Sequence, residues 1–351
     1  MDIRQLIMTA RERRASDIHI TVSRNPVFRI DGRLTETEFS LTREEKYGLI
    51  VSMLEQHQRE AMDRGEDVDM AYALDNGLRH RVNVFRQQRA LACVIRIINE
   101  HTPTFEELNL PEILRTLAKE PRGLVLVTGP TGSGKSTTLA AMVDYINSTR
   151  DCHILTVEDP VEYVYQQKKS LIHQRDVGAD VPSFSSALRS AMREDPDVIL
   201  VGEMRDYETI SAAVTAAETG HLVLSTLHTT GAAMTVDRII DVFPPHNQQQ
   251  IRTQLASVLK GIITQTLVPR ASGKGRVAAF EIMLGSDAVL TLIRENKGHQ
   301  LNSTIQTSQK QGMILLDSYL ANLVRDGTIR IEDALEKVNN KPEFMSEVQR
   351  L

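Results

Sequence analysis

The chain has 351 residues, 41% hydrophobic and 25% charged, which describes a soluble protein too long for one ordinary core and predicts two domains. Its net charge of −5, without a Lys/Arg block or interleaved aromatic residues, argues against a nucleic-acid groove. A membrane span needs about 18 consecutive apolar residues, and no run in this sequence approaches that length. No signal peptide is expected either, so we expect the protein in the cytoplasm. Its two cysteines are too few for a disulfide framework.

Residues 1–99 have the pattern of a small α+β domain. Apolar residues at helical spacing predict a helix at 3–14, and a second helix is predicted over 42–62, where Thr42 and Glu45 fit a capping box. Alternation predicts strands, and the turns Asp31-Gly32 and Asp75-Asn76-Gly77 predict two hairpins. The predicted strands are 15–20, 27–30, 33–34, 69–74, 78–85 and 90–98.

Residues 100–111 contain two prolines and little apolar patterning, which predicts a linker between domains. From 112 to 351, apolar strands alternate with helices, as is typical of a parallel sheet in an α/β domain. The C-terminal region is expected to be mostly helical, with 339–351 as a flexible tail. The strands are predicted at 124–128, 153–157, 197–201, 222–226 and 277–283, and the helices at 135–148, 183–193, 207–219, 313–325 and 331–338.

The segment GPTGSGKS, at 129–136, matches the phosphate-binding pattern G-x-x-x-x-G-K-[ST]. A predicted strand precedes it and a predicted helix follows it, which is the context a P-loop requires. Its glycines let backbone N–H groups turn toward phosphates, Lys135 adds a positive charge, and Ser136 can offer its hydroxyl to Mg²⁺. The predicted nucleotide-binding residues are Gly129, Thr131, Gly132, Ser133, Gly134, Lys135, Ser136 and Thr137.

Carboxylates follow two predicted strands of the second domain. The strand at 197–201, which we place next to the P-loop strand, leads to Glu203, which would serve Mg²⁺ and the γ phosphate as a Walker B acid. The strand at 153–157 leads to Glu158 and Glu162, either of which could orient or deprotonate an attacking water. On the residues alone, Glu203 could instead be an ordinary surface acid, and the other two could belong to a solvated loop.

Histidine and arginine side chains provide further candidates. His228 follows the apolar strand at 222–226, where it could sense the γ phosphate or orient an acid. His221 precedes that strand, and a structural role as a helix-to-strand cap fits it as well as a functional role does. In the first domain, Arg81 lies in a hairpin strand and Arg96 interrupts an apolar strand, where a guanidinium needs an anionic partner. The residues alone favour an internal carboxylate as that partner over a nucleotide phosphate.

Six stretches are characteristic in combination. They are SDIHI at 16–20, DNGLRHRVNVF at 75–85, GPTGSGKST at 129–137, VEDPVEYV at 157–164, EDPDVILVGEMRD at 194–206 and TAAETGHLVLSTLHTT at 215–230. Together they resemble the secretion-type hexameric ATPases, and within them the type IV pilus retraction ATPases, over nearly the whole chain to about residue 338. The last three stretches separate this family from other P-loop proteins.

The resemblance implies an α/β protein with a PAS-like α+β N-terminal domain, a RecA-like P-loop ATPase domain, and a homohexamer that binds ATP and Mg²⁺ between the domains. It implies that Lys135 and Ser136 hold the phosphates and Mg²⁺, and that Glu203 acts on the metal through water. The remaining implied roles are activation of water by Glu162, contact with the γ phosphate by His228, and neutralisation of phosphate charge by Arg81 and Arg96.

The resemblance also bears on the direction of work. Extension ATPases carry a further N-terminal domain and a four-cysteine zinc motif, neither of which is expected here, so retraction is favoured. The implied partners are an inner-membrane pilus platform protein, with peripheral attachment to that machinery, and an accessory retraction ATPase.

One segment departs from the retraction pattern. Where retraction ATPases typically read AIRNLIRE, residues 288–295 read AVLTLIRE, which leaves an accessory retraction paralogue open. An assembly or secretion ATPase, which would drive subunits outward, also remains open. So do two functions of a different kind, a nucleotide-gated binding protein and a RecA-like nucleic-acid motor.

Overall fold

A computed structural model describes residues 1–30, 32–75, 77–98 and 101–349 of the chain. The chain divides into two compact units, Met1–His101 with Glu162–Val164, and Thr102–Val161 with Tyr165–Leu351. Among the described residues, no helix has the length and apolar character needed to cross a membrane. Six residues lie outside the described residues. Asp31 and Asn76 belong to the predicted turns, Asn99 and Glu100 to the predicted interdomain boundary, and Arg350 and Leu351 to the predicted tail.

The described part of the first unit contains a six-stranded antiparallel sheet with the strand order β3-β2-β1-β6-β5-β4. Its apolar face packs with the helices around a core that includes the fully buried Leu6, Ile18, Ile50 and Ile95. The elements are α1 (Ile3–Glu12), β1 (Ala15–Ile20), β2 (Val27–Ile30), β3 (Arg33–Glu36), α2 (Arg43–Ser52), α3 (Gln56–Asp63), β4 (Val68–Ala73), β5 (Arg79–Gln87) and β6 (Ala90–Ile97).

The prediction of a single helix over 42–62 was wrong, because the chain forms two helices there, α2 and α3. Met53 ends α2, and both Met53 and Leu54 turn into the core of the first unit. Glu55 then starts α3 with a capping box of its own, in which its backbone N–H bonds the Gln58 side chain at 2.9 Å. Burying Met53 and Leu54 therefore stabilises the fold more than continuing a single helix through them would.

The described part of the second unit is built on a seven-stranded sheet ordered β13-β12-β7-β11-β10-β8-β9. All neighbours in it are parallel except β12 and β13, which form an antiparallel hairpin. The elements are α4 (Phe105–Leu108), α5 (Ile113–Ala118), β7 (Gly123–Thr128), α6 (Lys135–Thr149), β8 (His153–Glu158), β9 (Leu171–Asp176), α7 (Phe184–Ala191), β10 (Val198–Val201), α8 (Tyr207–Glu218), β11 (Leu222–Leu227), α9 (Ala232–Asp241), α10 (Gln248–Val258), β12 (Leu259–Pro269), β13 (Arg276–Leu284), α11 (Asp287–Arg294), α12 (Leu301–Thr307), α13 (Leu316–Arg325), α14 (Ile331–Leu335) and α15 (Lys341–Gln349).

Two features of this sheet differ from the prediction. The strand before Glu203, β10, is not next to the P-loop strand β7, since β11 lies between them. The strands β9 and β12 were missed, although β12 pairs directly with β7. β12 follows α10 with no Gly or Pro between them, so no breaker marks the change from a helical to a strand pattern.

The prediction of a linker at 100–111 was wrong over its described C-terminal part. Thr104 caps α4, and Phe105 is buried with its ring centroid 5.4 Å from that of Tyr145, within the second unit. The guanidinium of Arg115 lies over the Phe105 ring at 4.8 Å from its centroid. An aromatic anchor therefore holds this segment against the second unit, where two prolines and little apolar patterning had indicated a linker.

The prediction of a flexible tail at 339–351 was also wrong over its described part. Residues 341–349 form α15, and the Phe344 side chain is fully buried in a cluster with Leu320 of α13 and Val277 of β13. The backbone N–H groups of Asn339 and Asn340 donate to Asp317 at 2.8 and 2.7 Å, which fixes the entry to the helix. Few apolar residues lie in this stretch, but one well-placed aromatic ring anchors it.

Replacing Phe344 by Ala should lower the free energy of unfolding of the second unit by about 3 to 5 kcal/mol, because a fully buried ring is lost and a cavity remains. Urea denaturation followed by circular dichroism measures this change. Ser346→Ala, on the exposed side of the same helix, serves as the matched control and should be neutral. Equal stability of the Phe344 variant and the wild type would mean that the segment is loosely held.

Candidate active site

The predicted P-loop joins β7 to α6 at the carboxyl edge of the sheet. β7 is buried throughout, and the loop that follows reverses direction through Gly132 and Gly134, whose φ angles are 78° and 88°. Such left-handed backbone is readily adopted only by glycine, and it lets consecutive N–H groups face one anion. The structure places Lys135, Ser136 and Thr137 in the first turn of α6, where the helix dipole also favours an anion.

Gln265 of β12, which the sequence patterns did not reveal, stabilises this loop through its side-chain amide, here called the brace. Its side-chain Nε2 donates to the carbonyl oxygen of Ser133 at 2.6 Å, and its Oε1 accepts from the Thr138 hydroxyl at 2.7 Å. The Gln265 side chain is buried, so both polar ends of the amide are satisfied by the P-loop and α6. A Cβ atom at Gly129 would collide with the carbonyl oxygen of Gln265, which explains the glycine at that position.

The polar groups of the loop fit an anionic ligand. Lys135 Nζ donates to the carbonyl oxygens of Gly129 and Pro130 at 2.9 and 3.1 Å, so the ammonium lies over its own loop. Ser133 Oγ is buried and has no hydrogen-bond partner within the part of the chain that the structure describes. Burying a hydroxyl without a hydrogen-bond partner reduces the stability of the fold, and a bound phosphate would supply an acceptor for it.

A chain of polar contacts links the P-loop to Glu203. The His228 ring lies between them, with Nδ1 3.4 Å from the Thr131 hydroxyl and Nε2 3.4 Å from Glu203 Oε2. Arg205 Nε also contacts Glu203 Oε2, at 2.7 Å. The carboxyl ends of β7, β11 and β10 lie side by side, and this edge brings Thr131, His228 and Glu203 together.

The turn that carries Glu203 is fixed by β11. The buried hydroxyls of Ser225 and Thr226 donate to the carbonyl oxygens of Val201 and Gly202, each at 2.7 Å. The backbone N–H of Met204 in turn donates to the Thr226 carbonyl oxygen at 3.0 Å. Glu203 thus sits between two anchored backbone groups, and its side chain is only 18% exposed.

The other acids and His221 have distinct environments. Glu158 is buried and accepts from the Thr156 hydroxyl at 2.7 Å, whereas Glu162 is exposed. His221 Nδ1 lies 2.8 Å from the carbonyl oxygen of Ala216, which corresponds to the helix-to-strand cap considered for it. Of the two candidates for activating water, Glu162 is therefore the more accessible to solvent.

Arg81 and Arg96 each have a carboxylate partner within the first unit. Arg81 binds Asp69 through Nε and Nη2, with the shorter contact at 2.7 Å. Arg96 Nε donates to Asp17 at 3.0 Å. The internal carboxylates that the residue pattern favoured as partners are thus present.

A cleft of about 590 Å³ lies beside Glu203 and is lined by Asp159, Ser183, Arg205, Tyr207 and neighbouring residues. None of the described residues that line it belongs to the P-loop. A second cavity, of about 570 Å³, lies between Pro111, Tyr319 and Glu347, and its described lining includes none of the predicted site residues. Among the described residues, no cluster of three or more His, Cys, Asp or Glu side chains could hold a metal ion by itself.

This combination of P-loop, anchored acid and histidine is that of a nucleotide-dependent α/β protein. The family model described as Type II/IV secretion system protein matches residues 1–336, and the chain belongs to that family. It is 48% identical over 345 residues to the type IV pilus retraction ATPase PilT of Pseudomonas aeruginosa, covering 98% of this chain and 100% of that one.

Two further comparisons agree with this assignment. The chain is 51% identical over 316 residues to a twitching motility protein of Neisseria gonorrhoeae, covering 90% of this chain and 84% of that one. A crystal structure of the pilus retraction motor PilT with bound ADP superposes with a TM-score of 0.91 at 45% identity, covering 98% of each chain. The resemblance to pilus retraction ATPases inferred from the motifs is therefore confirmed, as is the α/β fold class.

Replacing Gln265 by Met should weaken ADP binding about tenfold, because the Ser133 carbonyl loses its brace and the loop loses its preset shape. The measurement is the rise in melting temperature that ADP produces, compared with the melting temperature of the nucleotide-free protein. Thr138→Val, which removes only the second bond to Gln265, should have a smaller effect. If the Met variant bound ADP as tightly as the wild type, the brace would have no role in binding.

Proposed function

We propose that this ATPase is a motor that powers retraction of type IV pili, disassembling the fibre at the inner membrane. It would act as a homohexamer in the cytoplasm, held peripherally against an inner-membrane platform protein, with an accessory retraction ATPase as a further partner. The observation that carries the proposal is the linked set of Thr131, His228 and Glu203 at the P-loop, in a chain that matches a named retraction ATPase along its whole length.

The proposal includes a finer description of the fold. The first unit would be a PAS-like domain, since it is a small antiparallel sheet flanked by helices. The second would be a RecA-like ATPase domain, since a parallel sheet places the P-loop and an acid at its carboxyl edge. In a motor of this kind, closing one domain on a bound nucleotide converts binding and hydrolysis into rigid-body motion.

The P-loop would bind the phosphates of ATP. Its N–H groups and the start of α6 supply positive potential, and Lys135 would exchange its loop carbonyls for phosphate oxygens. Mg²⁺, when bound, would neutralise charge on the phosphates, held by Ser136 directly and by Glu203 through water. Mg²⁺ commonly takes one or two protein ligands plus phosphates, which agrees with two oxygen donors rather than a larger cluster among the described residues.

Hydrolysis needs a group that positions or deprotonates the attacking water, and we assign this role to the exposed Glu162. His228 would contact the γ phosphate and, through its Nε2, orient Glu203. Arg81 and Arg96 of the first unit would neutralise charge that develops on the phosphates. An arginine in this role typically contributes a rate factor of about 10³ to 10⁵.

Replacing Glu203 by Gln should abolish most ATP turnover while ATP still binds, because the carboxylate acts on the metal and the transition state rather than on ground-state affinity. Steady-state phosphate release gives the turnover, and binding of a fluorescent ATP analogue gives the affinity. Asp241→Asn, at the exposed end of α9, serves as a control substitution and should leave both unchanged. Wild-type turnover in the Glu203→Gln variant would remove Glu203 from the catalytic assignment.

The direction of work is tested in the native host. Deletion of this gene should leave excess surface pili if the motor retracts them, because fibres would still be assembled but not withdrawn. Electron microscopy of the cell surface measures this, with the wild-type gene restored as the control. Absent pili would instead favour an assembly ATPase, and unchanged pili with weakened motility would favour an accessory retraction paralogue.

The case for an accessory paralogue rests on one segment. Residues 288–295, AVLTLIRE, lie mainly in α11, where Val289 and Ile293 are buried against the core of the second unit. Three positions depart from the retraction pattern: Val289 is an apolar core residue like the Ile it replaces, Leu290 is partly buried and packs against the same core, and Thr291 is exposed. The departure therefore leaves the helix packing intact and changes a surface, so ATP hydrolysis should be retained while retraction efficiency could differ.

A further inference from the structure

Charged side chains lie in one row across the sheet of the first unit. In the strand register, Asp17 of β1 is directly opposite Arg29 of β2 on one side and Arg96 of β6 on the other. Arg96 is in turn directly opposite Arg81 of β5. Residues directly opposite share a face of the sheet, so these four side chains, here called the arginine row, project from the same side.

The arginine row carries an unusual concentration of positive charge. Arg81 and Arg96 are directly opposite each other, and like charges in that position repel. Carboxylates lie on either side of this pair, Asp17 bonded to Arg96 and Asp69 bonded to Arg81. Arg29 lies on the other side of Asp17, with its Nε 3.7 Å from that carboxylate, so Asp17 has a guanidinium on each side.

Asp17 differs from an ordinary surface partner because it is buried. Only 9% of its side chain is exposed, against 66% for Arg96. The carboxylate accepts from Ser16 Oγ at 2.8 Å and from Arg96 Nε at 3.0 Å, with Arg29 Nε 3.7 Å away. Burial raises the pKa of the Asp17 carboxyl, but the bonds from Ser16 and Arg96 outweigh burial and hold that pKa below its ordinary value.

The two arginines are held in different ways. Arg81 presents both Nε and Nη2 to Asp69, so one edge of its guanidinium is already engaged by a carboxylate. Arg96 is bonded to Asp17 through Nε, the nitrogen nearest the backbone, and most of its side chain faces solvent. Anchoring at Nε restricts the direction of the side chain and does not use Nη1 and Nη2, the pair of nitrogens that can recognise a phosphate in a bidentate manner.

We infer that Asp17 is a positioning residue for Arg96: its carboxylate holds the guanidinium in one orientation, so that the side chain is already ordered when it binds a nucleotide phosphate. The inference rests on the proposed function, in which Arg96 neutralises phosphate charge during hydrolysis. Prior fixing of the side chain matters because a long arginine otherwise loses rotamer freedom when it binds. Asp17 acts on the reaction only through Arg96.

The test is a double-mutant cycle on the full-length protein with Mg-ATP, measuring kcat and KM by phosphate release. Arg96→Gln should lower kcat about a hundredfold or more, and Asp17→Asn about tenfold, each with little change in KM for ATP. In the Asp17→Asn/Arg96→Gln double variant, kcat should fall no further than in Arg96→Gln alone, because Asp17 has nothing left to position. Asp17→Glu should recover part of the loss.

The control is Asp63→Asn, which breaks the exposed pair of Asp63 with Arg86 in the same unit and should leave kcat unchanged. Melting temperatures of all variants check the fold. If Asp17→Asn does not fold, Ser16→Ala provides the second variant: it removes one bond to the carboxylate at an exposed residue and should lower kcat about twofold to threefold, again only when Arg96 is present.

Three outcomes would overturn the inference, and they separate it from the proposed function. If Arg96→Gln is impaired but Asp17→Asn is not, Arg96 keeps its role and Asp17 has no positioning role. If the two losses multiply in the double variant, Asp17 supports the unit structurally rather than through Arg96. If Arg96→Gln turns over ATP like the wild type, the assignment of Arg96 to the phosphates fails, and the role of Asp17 fails with it.

Discussion

The nucleotide site depends on one buried amide, Gln265, which holds the P-loop against the neighbouring strand. A glycine loop in left-handed conformation has many competing conformations, and fixing its backbone costs about 1 to 2 kcal/mol per residue. Gln265 bonds the Ser133 carbonyl and the Thr138 hydroxyl at once, so it ties the loop and the following helix to β12. The N–H groups of the loop are thereby oriented before any ligand arrives.

The order of strands determines which groups meet above that loop. Because β11 lies between β7 and β10, a side chain at the end of β11 can reach both the P-loop and the acid after β10. His228 occupies that position, between Thr131 and Glu203. Had β10 been adjacent to β7, Glu203 could have approached the loop directly and the histidine would have had no place between them. The central strand therefore places one imidazole in contact with both the P-loop and the acid after β10.

Much of this arrangement was accessible from the sequence, and the part that was not has a common cause. Local patterns placed β7, β8, β10 and β11, and motif spacing predicted Lys135, Glu203 and His228 as site residues, because each signal lies within a few consecutive residues. Gln265, in contrast, is ordinary in its local context, and its importance arises from pairing between β12 and β7. Phe105 and Phe344 were missed for the same reason, since a single aromatic ring can anchor a segment whose composition otherwise indicates a free chain.

The arginines show how a local and a functional interpretation can both hold. The sequence presented an internal carboxylate and a phosphate as competing partners, and the structure supplies the carboxylates. A guanidinium has five N–H donors, however, so a partner at Nε, as for Arg96, or at Nε and Nη2, as for Arg81, does not exclude another at the remaining donors. The cost of placing Arg81 opposite Arg96 also has to be offset in the absence of nucleotide, and Asp17 and Asp69 provide that compensation. A carboxylate that stabilises the resting state of a cation can thus also hold it ready for an anion, so the observed carboxylates are compatible with the role proposed for these arginines.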